Sequence, residues 1–360
     1  MFDPDHFFPP ALLGVPRPTK RDYGGRLNLS NNELQHSRID AVISDFYATA
    51  EISWVSRYMY WPSLLSLLAK HFRLPPECVW ISAGSDQAIR ALVWLAAAAG
   101  CRLILQSPNY ATYTTAAATE GIEVEVVSSV WSSPQEELGG LCAAARRPGR
   151  ALVVITNPHA FTGRLLPPDG VAHLAAVCEE EGHLLAVDEA YVWFAKVDHL
   201  SLLERFSNLL LVRSFSKGFG MAGLRFAALF ARPRVVEYLS RTRCMAEVSG
   251  VSAAFVEHCL ARWPVFVEVW REVAQRRDYA ARIIEGLEVG WSCPSSSTNF
   301  QLVETGERRR AEWVTTELER CSIAVRSLAA EPTLASCFRF TVAGDEATQR
   351  LLDALVRIGT

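Results

Sequence analysis

The sequence predicts an α/β fold, with a mostly parallel, seven-stranded sheet between helices and a smaller α/β C-terminal domain after it. Three observations carry that expectation. Seven short apolar runs recur, helical stretches of about a dozen residues separate many of them, and polar or glycine residues gather just past their carboxyl ends.

Taken in order, a proline-rich leader ahead of Tyr23 reads as an irregular arm lying on the body or on a partner subunit. The strand candidates follow as CVWISAG, RLILQSP, IEVEVVSS, RALVVITNP, HLLAVDEAY, NLLLVRSFS and RFAALFA. Each is short and nearly continuously apolar, as a strand buried on both faces must be. Their ends carry Gly84-Ser85-Asp86, Pro108-Asn109-Tyr110, Asn157-Pro158, Asp188-Glu189 and Ser214 to Lys217. In such sheets those ends share one pocket. Beyond Arg234 the texture changes to long helical patterns, the short strands TNFQLVE and CFRFTVA, and a closing helix EATQRLLDALVRI. The expected division is an N-terminal arm and packing segment over 1–45, a large domain over 46–245 and a small domain over 246–360.

A chain of 360 residues, 50% hydrophobic, buries a substantial core, which excludes a disordered or fibrous protein. Thirty-six basic and 39 acidic side chains give a net charge of −3, with no run of like charge that would serve nucleic acid or a membrane. A small molecule is the expected partner. The nine cysteines are scattered singly, without C-x-x-C or metal spacing, and read as core thiols of a reducing compartment. The N-terminus lacks a secretory pattern, and the apolar run from Ala91 is too short to span a bilayer, so a cytoplasmic location is expected.

The stretch SFSKGFGMAGLRF contains Gly218-x-Gly220-x-x-Gly223, the spacing of a dinucleotide-binding turn. That turn needs its third glycine to open a helix, with an acidic residue about twenty positions on. Here a strand pattern, LRFAALFARP, follows, and residues 238–246 hold no Asp or Glu. The lysine is the better focus. An amine at a strand end, flanked by hydroxyls and glycines, can condense with an aldehyde cofactor.

SFSKGFGMAGLR resembles the Schiff-base segment of fold-type-I pyridoxal phosphate enzymes. Within the class I/II aminotransferases it is similar to the histidinol-phosphate aminotransferase and threonine-phosphate decarboxylase branch, from about Tyr58 to the C-terminus. The resemblance implies pyridoxal 5′-phosphate held as an internal aldimine on Lys217, in a homodimer with composite sites. Gly84, Ser85 and Asp86 at a helix start suit the cofactor's phosphate, or are a plain N-cap. The resemblance adds Ser214, Ser216 and Arg225 to that group. Asp188 is placed to keep the ring nitrogen protonated, although a strand-end Asp-Glu also fits an exposed turn. Tyr191 is implied at the ring hydroxyl, Tyr110 on the ring face, Asn157 in the preceding turn, and Tyr58 at a neighbouring subunit's phosphate. Arg339 is implied as the clamp for an anionic substrate group, with Asn299 on the same wall. No metal site is expected.

One position departs from the family. Where the family writes Asn-Pro-Asn-Asn-Pro-Thr-Gly, this chain has Asn157-Pro158-His159-Ala160-Phe161-Thr162-Gly163, so Ala160 occupies the slot of the asparagine that bonds the ring hydroxyl. Either His159 or water replaces that donor, or the chemistry has moved away from simple transamination. The expected activity is aminotransfer from an amino acid or phosphorylated amine. The alternative is a lyase, cyclase or decarboxylase acting on a specialised amino acid. A silent module of the same fold is disfavoured, since Lys217 is retained and no helix-turn-helix segment accompanies it.

Overall fold

The computed structural model describes residues 13–14, 23–58, 61–128, 133–242 and 247–359, so most of the leader before Tyr23, and Cys244, lie outside the described residues. The strands are β1 (Leu27–Asn28), β2 (Val79–Ser82), β3 (Arg102–Ser107), β4 (Val124–Ser128), β5 (Ala151–Thr156), β6 (Leu184–Asp188), β7 (Leu209–Ser214), β8 (Ala227–Ala231), β9 (Phe300–Glu304), β10 (Ile323–Ala324), β11 (Arg326–Ser327) and β12 (Cys337–Thr341). All seven apolar runs are strands of one seven-stranded sheet, ordered β2-β8-β7-β6-β5-β3-β4. β8 alone runs opposite to the other six, which share one direction.

Alternation along the strands explains why both faces are covered. Val153, Ile155, Leu185, Val187, Leu209 and Leu211 join one buried cluster; Leu152, Val154, Ala186, Leu210 and Val212 join another on the opposite face. Successive side chains of a strand point to opposite faces, so near-continuous apolar sequence is what a doubly covered sheet requires. Pairing of Thr156 with Asp188, and of Ser82 and Ser214 with Ala227, brings the polar strand ends to one rim.

The long helical texture after Arg234 resolves into helices Pro233–Thr242, Gly250–Ala261 and Trp263–Glu285. A three-stranded antiparallel sheet, β11-β12-β9, follows, closed by helix Asp345–Gly359. β1 pairs in parallel with β10, which ties the start of the described chain to its C-terminal part. No helix among the described residues is long and apolar enough to cross a membrane. The cysteines other than Cys244 are free thiols.

Candidate active site

Lys217 lies in the short helix Phe215–Gly218, which begins where β7 ends. Ser214 caps that turn, its Oγ accepting from the backbone N–H of Ser216 at 3.3 Å. Gly218 packs so closely on Trp193 that a Cβ would stand 2.4 Å from the indole. The glycine therefore serves to seat the lysine against the aromatic core, not to cradle a dinucleotide. Lys217 Nζ donates to the carbonyl of Asn31 at 2.7 Å. Burial, followed by the nearby Arg339 charge, lowers the amine from the ordinary lysine range to about 8. An amine in that range has a useful neutral fraction near neutral pH.

Asp188 is the last residue of β6 and is buried. It accepts from the N–H of Ala190 at 3.1 Å and from the Tyr113 hydroxyl at 3.3 Å. No cation pairs with it among the described residues. Burial raises its carboxyl to about 7, against the pull of those two donors. A cationic ring nitrogen is the kind of group such a carboxylate lacks.

The helix Ser85–Ala98 opens at Gly84, whose φ is +83°, and its first N–H groups have no partner within the helix. A Cβ on Gly84 would lie 2.7 Å from Arg225 Nη2, so glycine leaves the space the guanidinium occupies. Arg225 donates to Ser216 Oγ and the Ala222 carbonyl, each at 3.2 Å, and pairs with Asp86 at 2.7 Å. The Asp86 carboxylate also accepts from Tyr110 Oη at 2.8 Å and Thr112 Oγ1 at 3.1 Å. Its side chain thus anchors Arg225 and Tyr110, and what it offers an anion is its backbone at the helix start.

On the far wall, Arg339 of β12 lies directly across from Arg326 of β11. Its guanidinium donates to the Ala160 carbonyl and stands 4.4 Å over the Phe300 ring. Burial lowers it to about 10. Tyr191 Oη accepts from Asn32 Nδ2 at 2.7 Å, leaving the phenol proton free to donate. Asn32 sits at φ 56°, held by Thr341 Oγ1 accepting from its N–H at 2.9 Å and by Asn299 Nδ2 donating to its carbonyl at 3.0 Å.

Ser85, Asp86, Tyr110, Asp188, Tyr191, Ser214, Ser216, Lys217, Arg225 and Arg339 all line one cavity of about 480 Å³. Four sequence expectations fall outside that lining. Asn157 is turned away from it: its Nδ2 donates to the Leu166 carbonyl at 3.2 Å and its Oδ1 accepts from the Leu166 N–H at 2.8 Å, so it stitches the following loop. Asn299 braces Asn32 from behind. Gly84 stands at the helix start behind Arg225, and Tyr58 is 82% exposed. His159 is buried; its Nε2 donates to the Pro108 carbonyl at 2.9 Å and its Nδ1 accepts from the Thr162 N–H at 3.1 Å. With both nitrogens engaged and burial holding its pKa down at about 4, it is a neutral brace with no donor to spare.

Sequence reasoning missed Asn31, Asn32, Tyr113 and Arg326. Tyr113 stands one helical turn beyond Tyr110, a spacing that could have flagged it. The asparagine pair and Arg326 reach the site only through contacts distant in sequence.

A family model described as aminotransferase class I and II matches residues 25–355. The chain is 27% identical over 291 residues to a histidinol-phosphate aminotransferase of Citrifermentans bemidjiense, covering 81% of this chain and 79% of that one. It is 29% identical over 312 residues to an aromatic amino acid aminotransferase of Mycobacteroides abscessus, covering 83% and 86%. The histidinol-phosphate aminotransferase of Sinorhizobium meliloti, solved in complex with pyridoxal-5′-phosphate, superposes with a TM-score of 0.85 at 25% identity, over 98% of this chain and 97% of that one.

Proposed function

The chain belongs to the aminotransferase class I and II family, and from that membership and the cavity's geometry we propose that it uses pyridoxal 5′-phosphate, bound through Lys217, to move the amino group of a small anionic amine. The carrying observation is the juxtaposition of a lysine lowered to about 8 with a buried carboxylate that pairs with no cation among the described residues, both in one cavity. When bound, the cofactor supplies an aldehyde that takes up the amino group and a ring that draws electrons from the neighbouring carbon. Lys217 Nζ, steadied by the Asn31 carbonyl, would move a proton at the substrate's Cα. Asp188 would hold the ring nitrogen's proton, with Tyr113 fixing the carboxylate. Ser85 and Asp86 at the helix start, with Ser214, Ser216 and Arg225, would hold the phosphate, and Tyr110 would cover a ring face.

Arg339 and Arg326 present two guanidinium groups to the same cavity, which suits a substrate carrying a carboxylate or phosphate. An amino acid or phosphorylated amine is the substrate class that follows. Ala160 supports one second reading, a lyase, cyclase or decarboxylase, because a change at the ring oxygen alters how the cofactor handles protons. We place the enzyme in the cytoplasm as a homodimer. Ile52, Val55 and Tyr58, 86%, 81% and 82% exposed, form an apolar edge that a second copy would cover.

Borohydride reduction followed by peptide mass measurement tests the attachment. A pyridoxyl adduct on the Lys217 peptide is expected, and its absence from protein reconstituted with cofactor overturns the reading. A panel of amino donors separates the activities. Conversion of bound cofactor to its amine form marks transamination; release of ammonia, carbon dioxide or another leaving group with the cofactor unchanged marks the second reading.

A further inference from the structure

Ala160 contributes no side-chain donor to the cavity, and neither nitrogen of His159 is free to replace one. Another amide stands in the same lining. Asn109 follows β3, and its Oδ1 accepts from the Tyr110 N–H at 2.6 Å and from Thr156 Oγ1 at 3.2 Å. Those donors fix which way the amide faces, because a flipped amide would set its NH₂ against the Tyr110 N–H. Asn109 Nδ2 is therefore committed to the other side. It is buried and has no hydrogen-bond partner among the described residues. A buried donor left unmade is costly, and bound water or a ligand is what completes such a group in a native structure; in the lining of this cavity a ligand is at hand to do so.

We infer that Asn109 Nδ2 donates to the ring oxygen of bound pyridoxal phosphate, supplying from the end of β3 the amide that position 160 lacks. This rests on the assignment of Lys217 as the attachment point. Tyr191, whose hydroxyl proton is free, serves as the second donor to the same oxygen. The amide relocates the contact without adding charge. The carboxylates facing the cavity (Asp86, Asp188, Glu331) and the cations (Lys217, Arg225, Arg326, Arg339) are the same whichever position holds it.

A donor to that oxygen favours the more anionic, deprotonated form of the lysine-bound chromophore, so it lowers the pH midpoint of the visible absorption band. In holoenzyme, Asn109→Ala should raise the midpoint by about one to two units. Asn109→Ala combined with Ala160→Asn should return it toward the parent value. Ala160→Asn alone, with Asn109 intact, should leave it nearly unmoved because the slot is filled. The inference is overturned if Asn109→Ala leaves the midpoint in place, or if Ala160→Asn alone lowers it by a full unit. Should Asn109→Ala fail to fold, the Ala160→Asn titration decides alone. Borohydride trapping on Lys217 in each variant keeps the two claims apart: an adduct with an unmoved midpoint sinks Asn109 only, whereas no adduct in the parent enzyme sinks the attachment itself.

Discussion

Asp188 and Glu189 are consecutive carboxylates with opposite surroundings. Asp188 faces the 480 Å³ cavity, finds two hydrogen bonds and, among the described residues, no cation, and is raised by burial to about 7. For Glu189, burial alone would also raise the carboxyl, but Arg213 at 2.7 Å and His199 at 2.7 Å override it and hold it below its ordinary value. Arg213 in turn lines a larger cavity of about 1080 Å³, walled by Phe72, Trp193, Trp263 and Trp270. The buried cations of that larger space are matched: Arg213 also meets Asp198 at 3.1 Å, and Arg277 meets Asp278 at 2.8 Å and the Thr298 carbonyl at 2.8 Å. Volume and aromatic walls alone would select the wrong cavity. What marks the smaller one is charge left incomplete, a carboxylate without a cation beside an amine lowered to about 8.

The largest expected effect falls on the incomplete side. Lys217→Ala should lower amino transfer by about 10⁴-fold or more, equivalent to about 5.5 kcal/mol, because both the attachment point and the proton-moving amine vanish. Turnover with a saturating amino donor measures it. Retention of most activity would move the chemistry elsewhere, the larger cavity included.

On the completed side the expected effect is on folding. Arg213→Met leaves Glu189 buried without its main cation and should cost about 3 to 5 kcal/mol of stability. Urea unfolding of the cofactor-free protein reads this directly. A loss under about 1 kcal/mol would show that His199 alone satisfies Glu189 and would weaken the contrast between the two carboxylates.

The sequence makes the two sides legible to different degrees. Seven apolar runs became seven strands because a doubly buried strand has a local signature, and Lys217 and Asp188 were legible as polar residues at strand ends that such sheets bring to one rim, whereas Arg225 came only from the family resemblance. Asn157 was misplaced because its position in the loop does not reveal its orientation; two bonds to Leu166 turn it inward. Asn31 and Asn32 were missed for a related reason. They reach Lys217 and Tyr191 across 186 and 159 positions of sequence, and no local pattern encodes such contacts. His159 reaches the Pro108 carbonyl across 51 positions, a contact equally invisible in the sequence.

A smaller effect should separate binding from chemistry within the active cavity. Arg339→Lys keeps the charge but loses the planar fork, so KM for an anionic amino donor should rise about 10- to 100-fold with a smaller change in kcat. Steady-state kinetics against one donor measure the split. A fall in kcat at constant KM would instead make Arg339 a brace for the Ala160 loop, whose carbonyl it holds.

The smallest effect is a pH dependence that distinguishes the two carboxylates most finely. The neutral form of Lys217 attacks the aldehyde, and with the amine at about 8 that form grows about tenfold per pH unit below 8 and levels off above it. An ordinary lysine would go on rising past pH 10. Asp188, raised to about 7, is neutral below that pH and charged above it, so its attraction for a ring cation also grows through the same window. The second-order rate of cofactor uptake by cofactor-free enzyme, followed by absorbance between about pH 6.5 and 9, should therefore climb and then flatten with bends near 7 and 8. Asp188→Asn should erase the lower bend and keep the upper. Glu189 adds none, since it stays ionised throughout this range. A profile that keeps climbing beyond pH 9 would return Lys217 to the ordinary lysine range and remove the electrostatic distinction on which the choice of cavity stands.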